Sequence, residues 1–488
     1  MSISAIQKNR LQKLEAIKKA GFNPYPIKTK RTHSVTEALI DFERFSRAKT
    51  KLVLSGRIMA IREHGGSTFI DFEDGTGKIQ AYFKRDKLGN KNYKFFLANF
   101  DIGDFIELRG ILFKTKKGEK TIEVSSFKML AKALLPLPEK WHGLKDAEER
   151  FRKRYLDLIF NKEIREKFIL RSKIIKELRA FMEKEGFLEV ETPVLQPIYG
   201  GTEAKPFKTH LNSMNMDLYL RIAPELYLKR LIVGGFEKIF EIGKCFRNEG
   251  MDRSHNPDFT EMEFYWAYAD YKDMMKFIEK MMVAVVKNLF GKTKIEYEGK
   301  EVDFKAPWER VEYAALIRKF AKIDIETINQ EALFAEAGKL GVTVDKTMTK
   351  FQLADAVYKK TCLSKLWQPT FIIHHPEGSI PLAKQTDENP QNLGTIQMVV
   401  AGLEIAKAYS ELNDPVKQYE NFKNQEKLFV EGVEEAQRMD NDYIEALGYG
   451  MPPTAGFGMG IDRLVTLLTD SHSLREVILF PTMRAKDN

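Results

Sequence analysis

The chain has 488 residues, 43% of them hydrophobic, and a formal net charge of +9. This length exceeds what a single hydrophobic core usually organises, so we expect two or more domains. Two cysteines, Cys245 and Cys362, exclude a disulfide framework and a cysteine-based zinc site, and they predict a reducing compartment. No stretch has the roughly 18 consecutive apolar residues of a membrane span, and the N-terminus lacks a leader's apolar core. We therefore expect a soluble, cytoplasmic protein.

The charge is unevenly distributed along the chain. Residues 1–135 hold 27 Lys and Arg against 14 Asp and Glu, whereas the remaining residues hold 51 against 55. A basic front segment predicts contact with a polyanion, although a merely solubilising surface would have the same composition. The first predicted element, within an extension covering residues 1–50, is a basic amphipathic helix over residues 5–20.

Residues 51–135 contain short alternating segments separated by the turn signals HGGS, DGTGK and KKGEK. Five short strands in roughly 80 residues predict a small β-barrel of the OB type, whose strand face binds single-stranded nucleic acid. On that face a base could stack on Phe69, with Gln80 at the edge of the base and Glu119 close by in a later hairpin. Packing of Phe69 in the barrel core is the alternative.

Two prolines, Pro136 and Pro138, mark a domain boundary. We predict a linker over residues 136–160 and a second domain over residues 161–488. That domain should open with a long amphipathic helix from about residue 162 to 184, because its periodic pattern stops just before a glycine. A strand broken by Pro193 follows the helix, and the glycines after it would let backbone approach a small ligand closely.

Two runs with period-two alternation, within residues 238–270, predict antiparallel strands joined by a long polar connection. In the second run the parity predicts one face that packs on a core, carrying Met262, Phe264, Trp266 and Tyr268. The opposite face carries Phe259, Glu261, Glu263 and Tyr265, joined from the first run by Glu241, Arg247 and Glu249. Burying charged side chains of this kind costs free energy unless other groups pair with them, so the face is predicted to be a binding site. The alternative is a sheet face exposed to solvent.

Residues 311–390 are helix-rich and poor in motifs, and we predict that they form an insertion beside the site. After them, Glu404 and Glu411 are an odd number of positions apart, so a regular strand would direct them to opposite faces. A bulge or bend near residues 406–409 is needed if both serve one site. The run PPTAGFGMGIDRLVTLL then predicts a strand with a bare glycine face, against which a flat base can lie, and a helix that presents Arg463 to phosphates.

Several of these stretches resemble the class II aminoacyl-tRNA synthetases. FRNEG with HNPDFT is similar to motif 2, residues 163–197 resemble motif 1 and residues 452–470 resemble motif 3. RIAPELYLKRL, from residue 221, resembles the lysine enzymes of the subclass shared with the aspartate and asparagine enzymes. The resemblance covers nearly the whole chain. It implies an α+β catalytic domain built on an antiparallel sheet flanked by helices, an N-terminal OB-fold barrel, and a homodimer formed through motif 1.

The activity that the resemblance implies is the activation of lysine with ATP and its transfer to the 3'-terminal ribose of tRNA, with Mg²⁺ as cofactor. Residues matching the family's anticodon contacts are Phe69, Gln80 and Glu119, and the preceding helix would contact the tRNA backbone. Residues matching its ATP site are Arg247, Glu249, His255, Asn256, Phe259, Gly460 and Arg463. Arg247 is expected at the α-phosphate and Arg463 at the γ-phosphate, and both are expected to be catalytic.

Residues matching the family's lysine site are Gly201, Glu225, Arg247, Glu263, Tyr265, Lys407 and Glu411, and the magnesium pair corresponds to Glu404 and Glu411. One departure lies at Lys407, because the family usually has asparagine there, in contact with the substrate carboxylate. A lysine can neutralise that carboxylate, but as a flexible point charge rather than a fixed amide.

Three other functions are compatible with parts of the pattern. An aspartate or asparagine enzyme would need a positive residue in place of Glu411. A ligase that attaches lysine to a protein would resemble the catalytic body but lack the barrel. A non-catalytic RNA-binding paralogue would be expected to lose Arg247, Glu411 or Arg463, and all three are present.

Overall fold

The computed structural model describes residues 4–138, 146–345, 348–433 and 435–485. The middle of the predicted linker, residues 139–145, lies outside the described residues. The chain divides into two compact units, Met1–Lys145 and Asp146–Asn488. Within the described ranges, no helix is both long enough and apolar enough to cross a membrane.

The first unit is a closed barrel with added helices. Its helices are α1 (Ala5–Lys19), α2 (Val35–Ile40), α3 (Phe42–Arg47), α4 (Arg85–Leu88) and α5 (Asn90–Asn99). Its strands are β1 (Leu52–His64), β2 (Ser67–Glu73), β3 (Lys78–Lys84), β4 (Phe105–Lys114) and β5 (Lys120–Ala131). The strands close in the order β1-β2-β3-β5-β4, which confirms the predicted OB-type barrel.

Helix α1 packs on the barrel through its apolar face. Its Leu14 and Ile17 are buried, and Ile17 belongs to the barrel's own hydrophobic core. The buried Arg10 guanidinium donates hydrogen bonds to the carbonyl oxygens of Ala133 (2.9 Å), Leu135 (3.0 Å) and Ile102 (3.0 Å). Part of this helix's positive charge therefore stabilises the fold.

The second unit is built on one large sheet with helices around it. Its helices are α6 (Ala147–Arg152), α7 (Arg154–Phe160), α8 (Lys162–Lys184), α9 (Glu225–Val233), α10 (Tyr271–Phe290), α11 (Tyr313–Ala321), α12 (Gln330–Lys339), α13 (Lys350–Thr361), α14 (Pro415–Val430), α15 (Asn441–Gly448), α16 (Ile461–Leu468) and α17 (Leu474–Val477). Its strands are β6 (Leu188–Glu189), β7 (Leu195–Gln196), β8 (Lys208–Leu211), β9 (Met216–Leu220), β10 (Lys238–Phe246), β11 (Asp258–Ala267), β12 (Lys294–Tyr297), β13 (Lys300–Asp303), β14 (Glu309–Glu312), β15 (Thr370–Ile373), β16 (Thr395–Val400), β17 (Leu403–Ser410) and β18 (Thr454–Gly460). The bounds of α8 confirm the helix predicted after the linker.

In the described part of this unit, the large sheet has eight strands in the order β14-β15-β16-β17-β18-β11-β10-β6. Its strand pairs are antiparallel except at the two edges, where β14 with β15 and β6 with β10 are parallel. One face of the sheet packs its apolar residues against α8, α10 and α16 and forms the main core. An antiparallel sheet can keep its other face polar, and that face carries the candidate site.

Candidate active site

The second unit has a cavity of about 1320 Å³ over the polar face of its sheet. Every residue that the sequence places in the ATP, lysine and metal sites lines this one cavity, namely Gly201, Glu225, Arg247, Glu249, His255, Asn256, Phe259, Glu263, Tyr265, Glu404, Lys407, Glu411, Gly460 and Arg463. These residues come from the loop before β8, the start of α9, the β10–β11 pair with its connection, β17 with the residue that follows it, and the β18–α16 junction. Residues far apart in the chain therefore meet at one surface.

Strand parity on β11 decides which side chains reach the cavity. Met262 and Phe264 are fully buried in the core, and the four residues predicted for the opposite face all line the cavity. The prediction for Tyr268 is wrong, because β11 ends at Ala267 and Tyr268 has a φ of 64° and is 69% exposed. Glu241 lies opposite Glu263 but forms an ion pair with the buried Arg221.

A bulge in β17 brings both candidate metal-binding carboxylates to the cavity. Ala406 pairs with Met398 and Glu404 pairs with Val399, so Ile405 is an extra residue on β17. The predicted irregularity is therefore present, one residue before the predicted stretch. Because the bulge reverses the alternation, Glu404 lines the same cavity as Glu411.

Two guanidinium groups lie along one part of the cavity. The Arg247 guanidinium stacks over the Phe259 ring, 4.8 Å from its centroid, and its Nη2 is 3.7 Å from Glu261 Oε2. Arg463 donates from Nη1 to the Glu404 carbonyl oxygen at 3.1 Å, and its Nη2 lies 3.3 Å from His255 Nε2. Planar guanidinium groups held in this way are suited to phosphate oxygens.

The connection between β10 and β11 is held by its own polar side chains. His255 Nδ1 lies 2.9 Å from Asp252 Oδ2. Burial alone would raise the pKa of Asp252, but hydrogen bonds from His255 and Ser254 outweigh it and lower the pKa to about 2. The buried Asn256 donates to the Asp258 carbonyl oxygen at 2.6 Å and so shapes the loop, while Glu249 is exposed at its mouth.

A fully buried lysine lies behind the cavity wall, among carboxylates and tyrosines. Lys229 Nζ is 2.7 Å from Glu225 Oε1 and forms an ion pair with Glu411 Oε2. Tyr409 donates its hydroxyl to Glu225 Oε1 at 2.8 Å. Burial would lower the pKa of Lys229, but Glu225 and Glu411 outweigh it and raise the pKa well above its usual value. Lys229 is therefore charged.

Next to this network, the Tyr265 hydroxyl donates to Glu263 Oε2 at 3.0 Å. Burial, with repulsion from Glu261 and Glu225, raises the pKa of Glu263 well above its usual range. Among the described residues, Glu411 Oε1 has no hydrogen-bond partner although it is buried. A buried carboxylate oxygen without a donor is a ready site for an ammonium group.

Two glycines make room for this part of the site. A Cβ at Gly456 would overlap Glu411 Oε1 and lie 2.6 Å from Tyr265 Cε1. The glycine face of β18 is thus filled by these side chains at Gly456, which leaves Gly458 and Gly460 as the open part of the face that is predicted to lie against a flat base. Gly201 has a φ of 95°, and a Cβ there would lie 3.0 Å from Glu225 Cβ.

Lys407 projects into the cavity beside Glu404. Its Nζ is 3.4 Å from Glu404 Oε1, and its side chain is 47% exposed. Burial would raise the pKa of Glu404, but Lys407, Arg463 and Lys359 outweigh it and lower the pKa to about 2. Glu404 is therefore ionised at any physiological pH.

Two carboxylates that line the cavity have the donor chemistry that Mg²⁺ prefers. Across the described ranges, no group of three or more His, Cys, Asp or Glu is arranged to hold a metal ion. Glu404 and Glu411 nevertheless both line the cavity. Mg²⁺ is commonly bound by one or two carboxylates together with substrate phosphates and water, so this pair fits such an ion.

Three residues that line the cavity, and the lysine behind its wall, were not predicted from the sequence. Tyr409 has the same strand parity as Lys407 and Glu411, and Lys229 follows Glu225 by one helical turn. Both residues could therefore have been predicted from the sequence pattern. Lys359 and Asp355 come from α13 in the predicted insertion and form an ion pair at 2.7 Å. No pattern in their stretch of sequence indicated a site.

On the barrel, the three residues predicted to contact the anticodon lie on neighbouring strands or directly beside them, Phe69 on β2, Gln80 on β3 and Glu119 just before β5. Phe69 stacks on Tyr82 with their ring centroids 4.7 Å apart, and it is only half-buried, so packing in the core is excluded for it. The Thr121 hydroxyl lies 3.1 Å from both Gln80 Oε1 and the Glu119 carbonyl oxygen. An aromatic pair beside polar groups is the usual surface for an unpaired base.

Comparison with known proteins agrees with this geometry. The family described as tRNA synthetases class II (D, K and N) matches residues 146–484, and the OB-fold nucleic acid binding domain matches residues 52–130. The chain therefore belongs to the class II tRNA synthetases of the D, K and N group. Within that group, several similar full-length proteins are named lysine–tRNA ligase. The one from Carboxydothermus hydrogenoformans is 48% identical over 99% of both chains. That from Fervidobacterium nodosum is 46% identical over 97% of this chain and 93% of its own.

Proposed function

We propose that this chain is a lysyl-tRNA synthetase (lysine–tRNA ligase). It activates L-lysine with ATP to lysyl-adenylate and diphosphate, and then transfers lysine to the 3'-terminal ribose of tRNA(Lys), releasing AMP. The observation that carries this proposal is a single cavity in which Arg247 and Arg463 lie along one part and the buried Glu225, Glu263 and Glu411 along another. Full-length relatives named lysine–tRNA ligase support the choice of amino acid.

In the first step, a carboxylate oxygen of lysine attacks the α-phosphorus of ATP, and the bond to the diphosphate leaving group breaks. Arg247 would bind the α-phosphate and Arg463 the γ-phosphate, so that the charge which develops meets groups already in place. Mg²⁺ held by Glu404 and Glu411 would neutralise phosphate charge when bound. The residues act by position and charge, without a covalent enzyme intermediate.

The adenosine end of ATP would occupy the region of the β10–β11 connection. Phe259 offers a ring for adenine and Glu249 an acceptor for its amino group, while His255, Asn256 and Gly460 would lie near the phosphates and ribose. Two contacts support this assignment, the stacking of Arg247 on Phe259 and the hydrogen bond from Asn256 to the Asp258 carbonyl oxygen. Both hold the side chains and the loop in place before ATP binds, which lowers the entropy cost of binding.

The lysine substrate would be recognised through the positive charges of its two amino groups. The substrate ε-ammonium would donate to Glu411 Oε1 and approach the Tyr265 hydroxyl and Glu263, while the α-amino group would lie at Glu225 and the Gly201 backbone. The unpartnered oxygen of Glu411 supports this orientation. Contact of Lys407 with the substrate carboxylate stays a prediction.

The barrel, proposed as residues 51–135, would bind the anticodon through Phe69, Gln80 and Glu119. The helical extension of residues 1–50 would add contacts to the tRNA backbone, and residues 161–488 would be the catalytic domain after a linker over residues 136–160. A homodimer through motif 1 is supported by exposed apolar side chains on α8 and β7, Ile169 and Leu195. We assign the enzyme to the cytoplasm because its proposed product supplies translation.

Lysine-dependent ATP–pyrophosphate exchange tests this function. We expect exchange with lysine and none above background with aspartate or asparagine. The buried carboxylates would repel the acidic side chain of aspartate, and the neutral amide of asparagine would leave them without a balancing charge. Exchange with aspartate instead would contradict the proposal. Absence of exchange with all three would favour a non-catalytic RNA-binding paralogue, and charging of a protein rather than tRNA would favour a lysine-modifying ligase.

Replacement of Arg247 by methionine is expected to lower kcat of the exchange reaction by about 10²- to 10³-fold, the usual effect of losing one charge-stabilising donor. Pre-steady-state measurement of adenylate formation would check it. Arg318→Met removes an exposed arginine that pairs with Asp324 and Glu326, and it should leave the rate unchanged. A rate for Arg247→Met within threefold of the wild type would remove Arg247 from the reaction.

Replacement of Phe69 by alanine is expected to lower kcat/KM for tRNA by about 5- to 150-fold, because stacking on one base contributes about 1–3 kcal/mol. Aminoacylation kinetics would measure this, and pyrophosphate exchange without tRNA should not change. Phe22→Ala removes another aromatic of the barrel unit, one that stacks on Phe95, and serves as the control. An equal loss in both variants would contradict the assignment.

A further inference from the structure

The family resemblance implies asparagine at the position of Lys407, and the structure shows which groups this lysine contacts. It lies on β17 between Gln397 of β16 and Gly458 of β18, in the interior of the sheet. Its ammonium is 3.4 Å from Glu404 Oε1. The side chain thus directs a positive charge at one of the two carboxylates that would hold a metal ion.

Two other cations lie near the same glutamate and lower the pKa of its carboxyl group. Arg463 donates to the main-chain carbonyl of Glu404 at 3.1 Å, and Lys359 lines the cavity from α13. Like charges repel strongly at short distance in a partly desolvated site. A divalent ion on Glu404 must therefore displace the Lys407 ammonium or share the carboxylate with it at unfavourable electrostatic energy.

We propose that the Lys407 ammonium is a built-in cation that competes with a divalent metal ion for Glu404, and that it binds ATP phosphate when the metal is absent. Lysine is an established phosphate ligand as a point charge, and its flexible stem allows one ammonium to contact both Glu404 and a phosphate oxygen. Asparagine at this position carries no charge and would leave Glu404 to the metal. The inference rests on the proposed function, because it assumes that ATP phosphates enter this part of the cavity.

Binding of Mn²⁺ to the full-length enzyme with ATP, and without lysine, tests the proposal. Free Mn²⁺ is followed by electron paramagnetic resonance for the wild type, Lys407→Asn and Lys407→Arg. We expect Lys407→Asn to bind Mn²⁺ at least tenfold more tightly than the wild type, and Lys407→Arg to resemble the wild type. Lys294→Asn removes a lysine of similar exposure that pairs with Glu301 outside the cavity, and it should have no effect.

A second measurement uses ATP alone. By calorimetry in excess EDTA, we expect Lys407→Asn to bind ATP at least tenfold more weakly than the wild type. Equal Mn²⁺ affinity, or equal metal-free ATP affinity, in the wild type and Lys407→Asn would overturn the proposal. If Lys407→Asn raised the KM for lysine but left Mn²⁺ binding unchanged, the proposal would be overturned. Lys407 would then be assigned to the carboxylate of the lysine substrate instead. Failure of the proposed function would appear separately, as no lysine-dependent exchange by the wild type.

Discussion

The Glu411→Gln variant is expected to have a kcat/KM for lysine roughly 10⁴-fold below that of the wild type. When a site is built to bind a polar substrate group, leaving that contact unpaired lowers kcat/KM by about this factor. Glu411 is 1% exposed, and Gly456 leaves the space that its free oxygen needs. Glutamine keeps the shape of the side chain but removes the charge that would balance a buried ammonium. Pyrophosphate exchange over a range of lysine concentrations measures the effect.

The matched control for this variant is Glu420→Gln, which makes the same chemical change at an exposed position on α14. It should exchange at the wild-type rate. Thermal melting of both variants separates a loss of recognition from a loss of folding. Kinetics for Glu411→Gln within twofold of the wild type would remove Glu411 from the lysine pocket.

The Lys229→Met variant is expected to lose about 3–5 kcal/mol of the free energy of unfolding, the usual cost of leaving buried charges without their partner. Lys229 is fully buried and is shared by Glu225 and Glu411. Methionine has a similar length, so the main change is the loss of charge. The midpoint of urea unfolding, followed for the transition of the second unit, measures the effect.

A double variant shows whether the charge network is the cause. Because Glu411→Gln removes one of the carboxylates left unpaired, Lys229→Met with Glu411→Gln should be less destabilised than the sum of the single changes. Lys423→Met, at an exposed position on α14, should be neutral. A loss below 1 kcal/mol for Lys229→Met, or strict additivity in the double variant, would contradict this account.

Glu411→Gln and Lys229→Met also distinguish a residue proposed to bind substrate from one that holds the site in place. Glu411 pairs with Lys229 through one oxygen, and we propose that its other oxygen contacts the substrate. Lys229 is fully buried and is surrounded by Glu225, Glu411, Tyr409 and Tyr443. Lys229 is thus a positioning residue. It neutralises part of the buried negative charge and orients both glutamates, so that one added ammonium completes the site.

Local rules of the sequence determined a large part of this structure. The helical spacing of apolar residues, with 3.6 residues per turn, predicted α8, and a glycine predicted where it ends. Gly186 follows the helix with a φ of 85°, a conformation that favours glycine. The period of two assigned Phe264 to the core and Glu263 to the cavity, because neighbouring side chains of a strand must point to opposite faces. Turn residues between short alternating runs predicted the barrel. Each of these inferences depends on residues close together in the chain.

Only the tertiary structure decided the arrangements that depend on distant segments. The extra residue at Ile405 is set by how β17 pairs with β16, and it alone brings Glu404 to the face of Glu411. The contact of Lys229 with Glu411 requires α9 and the end of β17 to pack together. Packing also filled the bare face at Gly456. Sequence periodicity predicts the face on which a side chain lies, whereas its partner there depends on contacts between elements that are far apart in the chain.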